Sequence, residues 1–261
     1  MKVVFFDTET TGLMPREKEL SLSESSKYPH IVQFSCIVYD FEHHEASLIS
    51  DDIIRVSDGV VIRPESIQFH GITDEISREK GKSIREVLDR FVSIMDKVDL
   101  VIAHNMEFDL RITLVELMRI MDNDGSSSIE IEQYSAVINN LINANKYYCT
   151  MKESIEICKI KAVSRMGKEY NKFPTLSELH KHYFGFVPTG LHNSLNDVVI
   201  GLRCFGKMRF DLDICDENEK ICDMMSALTS PSSSTGSSPT IKTKGKRKPR
   251  KRNSKKRNTS K

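Results

Sequence analysis

Val3-Val4-Phe5-Phe6-Asp7-Thr8-Glu9-Thr10-Thr11-Gly12 decides the fold of this 261-residue chain. Residues 3–6 form a short, continuously apolar run, the pattern of a central strand buried on both faces. Two acids, Asp7 and Glu9, follow at its end. Strand side chains alternate, so both carboxylates leave on the same face. Carboxylates placed that close repel each other unless a cation lies between them, and hard divalent ions such as Mg²⁺ take oxygen ligands of this kind. Gly12 then allows something bulky to approach the backbone. A strand-end turn with solvated acids accounts for the pair equally well at this point.

Working outward, residues 31–39 and 52–56 predict two further strands. Residues 83–98 predict the clearest helix: Ile84, Val87, Leu88, Phe91, Ile94, Met95 and Val98 recur at the spacing of one buried face. Residues 100–103 predict another buried strand, followed by a helix over 108–121, a loop over 123–128 and a helix over 130–144. Residues 147–150 suit a last strand, and residues 176–183 and 195–208 two last helices. Strands come first, then helix alternates with strand, which indicates an α/β layer fold with a mixed sheet. The polar stretch 15–29 reads as an inserted loop between the first two strands.

Two further places carry acids where a domain usually avoids them. Ala103-His104-Asn105-Met106-Glu107-Phe108-Asp109 follows a buried strand and opens a helix. Asp109 in that first turn also suits the helix dipole without any further role. Leu191-His192-Asn193-Ser194-Leu195-Asn196-Asp197 places a histidine in a loop and a carboxylate five residues on, at a helix start. A lone loop histidine is ordinarily plain surface; the spacing to Asp197 is what singles it out.

Jointly the three places resemble the DEDDh (DnaQ-like) family of 3′–5′ exonucleases. The first motif stands as Asp7-Thr8-Glu9, the second as H-N-x-x-F-D from His104 to Asp109, and the third as H-x-x-x-x-D from His192 to Asp197. His70-Gly71-Ile72-Thr73 matches a block that often follows the third strand in this family. Ser194 stands where a small Ala is common, and the 15–29 loop is longer than usual. The resemblance implies a ribonuclease-H-like fold, a mixed five-stranded sheet with helices on both faces. It also implies two divalent cations, Mg²⁺ or Mn²⁺, held by Asp7, Glu9, Asp109 and Asp197, with His192 as general base. Thr8, Thr11, Gly12 and Leu13 are expected to line the pocket for the terminal nucleotide. Phe108 is expected against a sugar or base, a plain core role being equally compatible with the sequence. The implied partner is single-stranded or frayed nucleic acid, DNA favoured over RNA, with a separate polymerase as a candidate partner if the role is proofreading or repair. Two rivals are an RNA-trimming exonuclease of the same family and a catalytically silent nucleic-acid-binding module; the five intact site residues argue against the second.

Composition sets the frame. With 39% hydrophobic and 29% charged residues the chain suits a globular domain. No apolar run reaches the roughly 18 residues of a membrane helix, and residues 1–6 are too short for a secretory signal. Six cysteines, none in a CxxC pair, read as reduced thiols of an intracellular protein, nuclear or cytoplasmic. The formal net charge of +1 hides an asymmetry: residues 240–261 hold 12 of the 38 Lys/Arg and none of the 37 acids, leaving 26 basic against 37 acidic residues in the body, a net −11. Residues 229–240 read as a Ser/Pro-rich linker with too little apolar content to fold. The expected organisation is a catalytic domain over 1–226 and a disordered basic tail over 227–261, a phosphate-binding tether or a nuclear localisation signal.

Overall fold

The structure is a computed structural model and describes residues 1–15, 26–95, 97–122, 127–143 and 146–229. Most of the expected insertion at 15–29, the core of the 123–128 loop and the basic tail lie outside the described residues. In chain order the elements are β1 (Lys2–Thr10), β2 (Ile31–Asp40), β3 (Glu45–Ile53), α1 (Pro64–His70), α2 (Asp74–Lys80), α3 (Ile84–Met95), β4 (Leu100–Ala103), α4 (Met106–Met121) and α5 (Ser128–Asn143). There follow β5 (Tyr147–Cys149), α6 (Thr150–Glu153), α7 (Ile155–Cys158), β6 (Lys161–Val163), β7 (Glu169–Asn171), α8 (Leu176–Phe184), α9 (Ser194–Phe210), α10 (Ile214–Glu217) and α11 (Glu219–Ala227).

The main sheet has the order β3-β2-β1-β4-β5. β1 pairs antiparallel with β2 and parallel with β4, and β4 pairs parallel with β5, so the sheet is mixed, as expected. β1 sits at its centre, which is why residues 3–6 are apolar throughout. Alternation divides those residues between two cores. Val4 and Phe6 join the apolar faces of α3, α4 and α5, where the Phe6 and Phe34 rings each lie 4.9 Å from Phe91. Val3 and Phe5 face α8, α9 and α11. Helix α9 lies hard against this second face because Gly201 has no side chain: a Cβ there would come within 2.2 Å of the Phe5 ring.

One strand lies elsewhere than expected. The strand read at residues 52–56 is β3, which begins at Glu45 and ends at Ile53. It is an edge strand, so only one of its sides pairs, and Glu45, Ser47 and Asp51 stay exposed between partly buried Ala46, Leu48 and Ile49. Polar content of that kind hides an edge strand from an apolar-run reading. The short helices α1, α2, α10 and α11 and the separate β6–β7 hairpin have no counterpart in the sequence reading. No described helix is long and apolar enough to cross a membrane. All six cysteines are free.

Candidate active site

The C-terminal end of β1 carries the first two carboxylates. Asp7 and Glu9 continue the alternation of Val3 and Phe5 and therefore turn to the α9 side, while Thr8 turns to the α4 side. A register shift in the β1–β2 pairing between Glu9 and Thr10 ends the regular strand at this point, a common device for re-aiming a side chain beside a site.

The second contribution comes from α4. Asn105 takes a left-handed backbone (φ 79°) and caps the helix, so Asp109 sits in its first turn. The Asp109 carboxylate is 2% exposed and accepts two bonds at Oδ1, from the Thr8 amide at 3.1 Å and the Thr8 hydroxyl at 2.8 Å. The preceding His104 is structural. Its Nε2 must donate to the Pro174 carbonyl (3.2 Å), which leaves Nδ1 to accept from the Thr150 hydroxyl (3.0 Å), and burial pushes its pKa down to about 4.

The third contribution comes from the loop into α9. His192 also adopts a left-handed backbone (φ 67°), unusual for a residue other than glycine. Its amide donates to Asp197 Oδ2 at 3.2 Å, and the Asn193 side chain caps the helix by accepting from the Asn196 amide. The other Asp197 oxygen, Oδ1, is buried with no hydrogen-bond partner. Candidate ligand atoms of Glu9, His192 and Asp197 lie within 4.8 Å of one another.

Electrostatics follow from this crowding. Asp7 is held well above the ordinary carboxylate range, first by burial and then by the charges of Asp109, Asp197 and Glu9. Glu9 is pushed up to about 8 by burial, with Asp197 and Asp109 adding to it. Asp109 and Asp197 both rise to about 7, chiefly through burial. Four acids that resist losing their protons, beside a buried oxygen without a donor, form a site that fits a divalent cation: one charge at its centre would relieve all of them.

The sequence profile of the exonuclease family, RNase T type, matches residues 4–205. The chain belongs to this family. No curated protein sequence matches it. Among solved structures, the fold is shared with Escherichia coli exonuclease I in complex with a dA16 oligonucleotide, at 16% identity and a TM-score of 0.53 over 85% of this chain and 42% of that one. A zinc-bound form of that enzyme's complex with single-stranded DNA matches at 18% identity and 0.54, over 80% and 41%. A product-bound form matches at 15% and 0.52, over 85% and 45%. This exonuclease-family chain thus spans less than half the length of these neighbours.

The expected pocket residues of this family member divide. Leu13 is 82% exposed. Thr8 and Thr11 are buried and commit their hydroxyls to the protein, Thr8 to Asp109 and Thr11 to the His30 amide (2.9 Å). The bulky group close to Gly12 is the Arg63 side chain, 3.1 Å from where a Cβ would sit. Phe108 packs partly buried against the α4-side core and also lines a cleft beside the site.

Three supports have no signal in the sequence. The Ser194 hydroxyl donates to the Asp7 carbonyl at 2.6 Å, and its amide donates to Gln33 Oε1 at 3.2 Å. The residue at the family's small position therefore does touch the backbone of a site acid. Gln33 in turn donates to Asp51 at 2.8 Å, stitching β3, β2, β1 and α9 together beneath the carboxylates. Phe69 of α1, 64% exposed, stands edge-on to the His192 ring with centroids 5.1 Å apart. The His70-Gly71-Ile72-Thr73 block builds the corner that holds it there: His70 bonds the Thr10 carbonyl, Gly71 ends α1 in a left-handed turn, and Thr73 caps α2.

Proposed function

We propose that this chain hydrolyses phosphodiester bonds one nucleotide at a time from the 3′ end of single-stranded or frayed DNA, in a proofreading or repair role, with Asp7, Glu9, Asp109 and Asp197 holding two Mg²⁺ or Mn²⁺ ions. The observation that carries this is the cluster of Glu9, His192 and Asp197, with ligand atoms within 4.8 Å of one another and a buried, unpartnered Asp197 oxygen, and with Asp7 and Asp109 near enough for their charges to act on it. Bound divalent ions supply Lewis acidity and stabilise the attacking and leaving oxygens of an in-line displacement. The chain's residues do the rest. The four acids would release their protons to hold those ions, Thr8 fixes Asp109 from behind, and Leu13 and Gly12 bound the space for the terminal nucleotide. His192 takes the proton of the attacking water, its imidazole standing beside Glu9 and Asp197. Its position is fixed through its amide by Asp197 and through its ring by Phe69. DNA is favoured over RNA because solved neighbours of this fold hold DNA oligonucleotides. The basic segment 240–261 adds phosphate contacts that weaken with salt, or a nuclear address.

The test uses matched 3′-labelled and 5′-labelled DNA and RNA oligonucleotides with Mg²⁺, Mn²⁺ or EDTA. Stepwise loss from the 3′ end of DNA, abolished by EDTA and by Asp7→Ala or Asp197→Ala, is expected. Wild-type-like turnover by either variant would remove the site assignment. His192→Ala should lower the rate by about 10²–10⁴-fold with little change in cation affinity.

A further inference from the structure

The body, residues 1–239, is acidic overall, yet one exposed element reverses that sign. Residues 159–172 hold Lys159, Lys161, Arg165, Lys168 and Lys172 against a single acid, Glu169, a net +4 inside a body of net −11. This is the β6–β7 hairpin with its flanks. Lys159, Lys161, Arg165 and Lys168 are exposed, and none of them pairs with a carboxylate among the described residues. Between the cations stand exposed Tyr170 and Phe173.

The hairpin is fixed rather than dangling. Lys172 Nζ contacts both Glu178 oxygens at 2.6 and 2.7 Å, the Asn171 side chain donates to Glu156 at 3.0 Å, and the Lys172 amide donates to the Ile160 carbonyl. Its outgoing end reaches the segment that opens the Asp109 helix. The Pro174 carbonyl accepts from His104, and Phe173 lines a cleft of about 310 Å³ with Met14, Asn105, Phe108 and Lys152. Asn105 and Phe108 belong to the start of the helix that carries Asp109, so the cleft lies at that helix's N-terminal turn.

We propose that the β6–β7 hairpin is a docking surface for the single-stranded nucleic acid whose end occupies the acidic site, Lys161, Arg165 and Lys168 contacting phosphates and Tyr170 and Phe173 stacking on unpaired bases. Interleaved cations and flat aromatic rings match the alternating phosphates and bases of an unpaired strand. An acidic peptide would use the cations and leave the rings idle. The proposal rests on the exonuclease reading, because the hairpin's outgoing end meets the start of the helix that carries Asp109. It also explains how a net-acidic body holds a polyanion close to four carboxylates.

The test compares the full-length chain with the full-length quadruple variant Lys161→Ala, Arg165→Ala, Lys168→Ala, Tyr170→Ala, all at exposed positions. Two substrates are used with Mg²⁺: a long single-stranded oligonucleotide and a dinucleotide, which offers the terminal bond and no strand to reach the hairpin. The expected result is a roughly tenfold rise in KM for the long strand at nearly unchanged kcat, with dinucleotide hydrolysis unaltered. Three lost phosphate contacts should also make the salt dependence of oligonucleotide binding shallower by about 2 in log–log slope, at roughly 0.7 per contact on single strands. Unchanged KM and slope overturn the proposal, as does an equal loss on both substrates, which would mark a structural role. If the wild type cleaves neither substrate, the exonuclease reading fails separately. Binding slopes measured by fluorescence anisotropy in chelator then still decide the surface: a shallower slope in the variant upholds it and equal slopes overturn it.

Discussion

Replacing Asp197 by Asn should make the metal-free protein more stable, and increasingly so as pH rises. Burial lifts the Asp197 carboxyl from its ordinary 3.8 to about 7 in the folded chain. A raised folded pKa gives stability that is complete below the unfolded value and is lost as pH climbs through the folded one. At roughly 1.4 kcal/mol per unit, the loss for an isolated group would be about 2 kcal/mol at pH 5 and about 4 kcal/mol at pH 8. The repulsion is shared with Asp7, Glu9 and Asp109, so the net gain in Asp197→Asn should be on the order of 2 kcal/mol at pH 8. The amide keeps an acceptor for the His192 N–H and places a donor where Oδ1 now lacks one. For a domain of this size each kcal/mol moves Tm by about 2–4 °C. The assay is a series of thermal melts by circular dichroism in EDTA from pH 5 to pH 8. Adding Mg²⁺ should reverse the order, since a ligand at a hundred times its Kd stabilises the wild type by about 2.7 kcal/mol. A variant that melts at or below the wild type at pH 8 in EDTA, or a gap that does not widen with pH, would refute the account of the site as a cluster strained by its own charge.

Other outcomes follow from the same geometry. Ser194→Ala should keep the fold and lose about 1 kcal/mol with the bond to the Asp7 carbonyl, read as a lower midpoint in urea. Gly201→Ala should cost about 1–3 kcal/mol or more, because the added methyl meets the Phe5 ring; an unchanged urea midpoint would show that α9 can simply slide away. Phe69→Ala should leave Tm within about 2 °C, as the ring is exposed, yet lower kcat/KM about tenfold by freeing the His192 ring. Full activity in that variant would show that the imidazole needs no such support.

What the sequence makes legible here depends on whether a feature is local. The central strand, α3 and β4 announce themselves because burial on both faces or on one helical face leaves an apolar pattern in consecutive residues. The three acidic motifs are legible because each is short and sits at the end of such an element. Edge strand β3 is illegible for the opposite reason, since water on one side permits Glu45, Ser47 and Asp51. Strands β6 and β7 have three residues each, too few for alternation to register. The supports of the site are further out of reach. Ser194 and Asp7 stand 187 positions apart, Ser194 and Gln33 161. Nothing local marks a serine whose hydroxyl will meet a carbonyl of another element.

That separation has a consequence for the chain while it is being made. Asp7 and Glu9 are made before the parallel neighbour of their strand, Leu100–Ala103, has emerged. His192 and Asp197 arrive later still, on a loop and helix that Ser194 must dock onto the Asp7 backbone. A nascent chain therefore carries scattered acids and no cutting centre. The order of synthesis thus delays assembly of the acidic cluster until the domain is nearly whole.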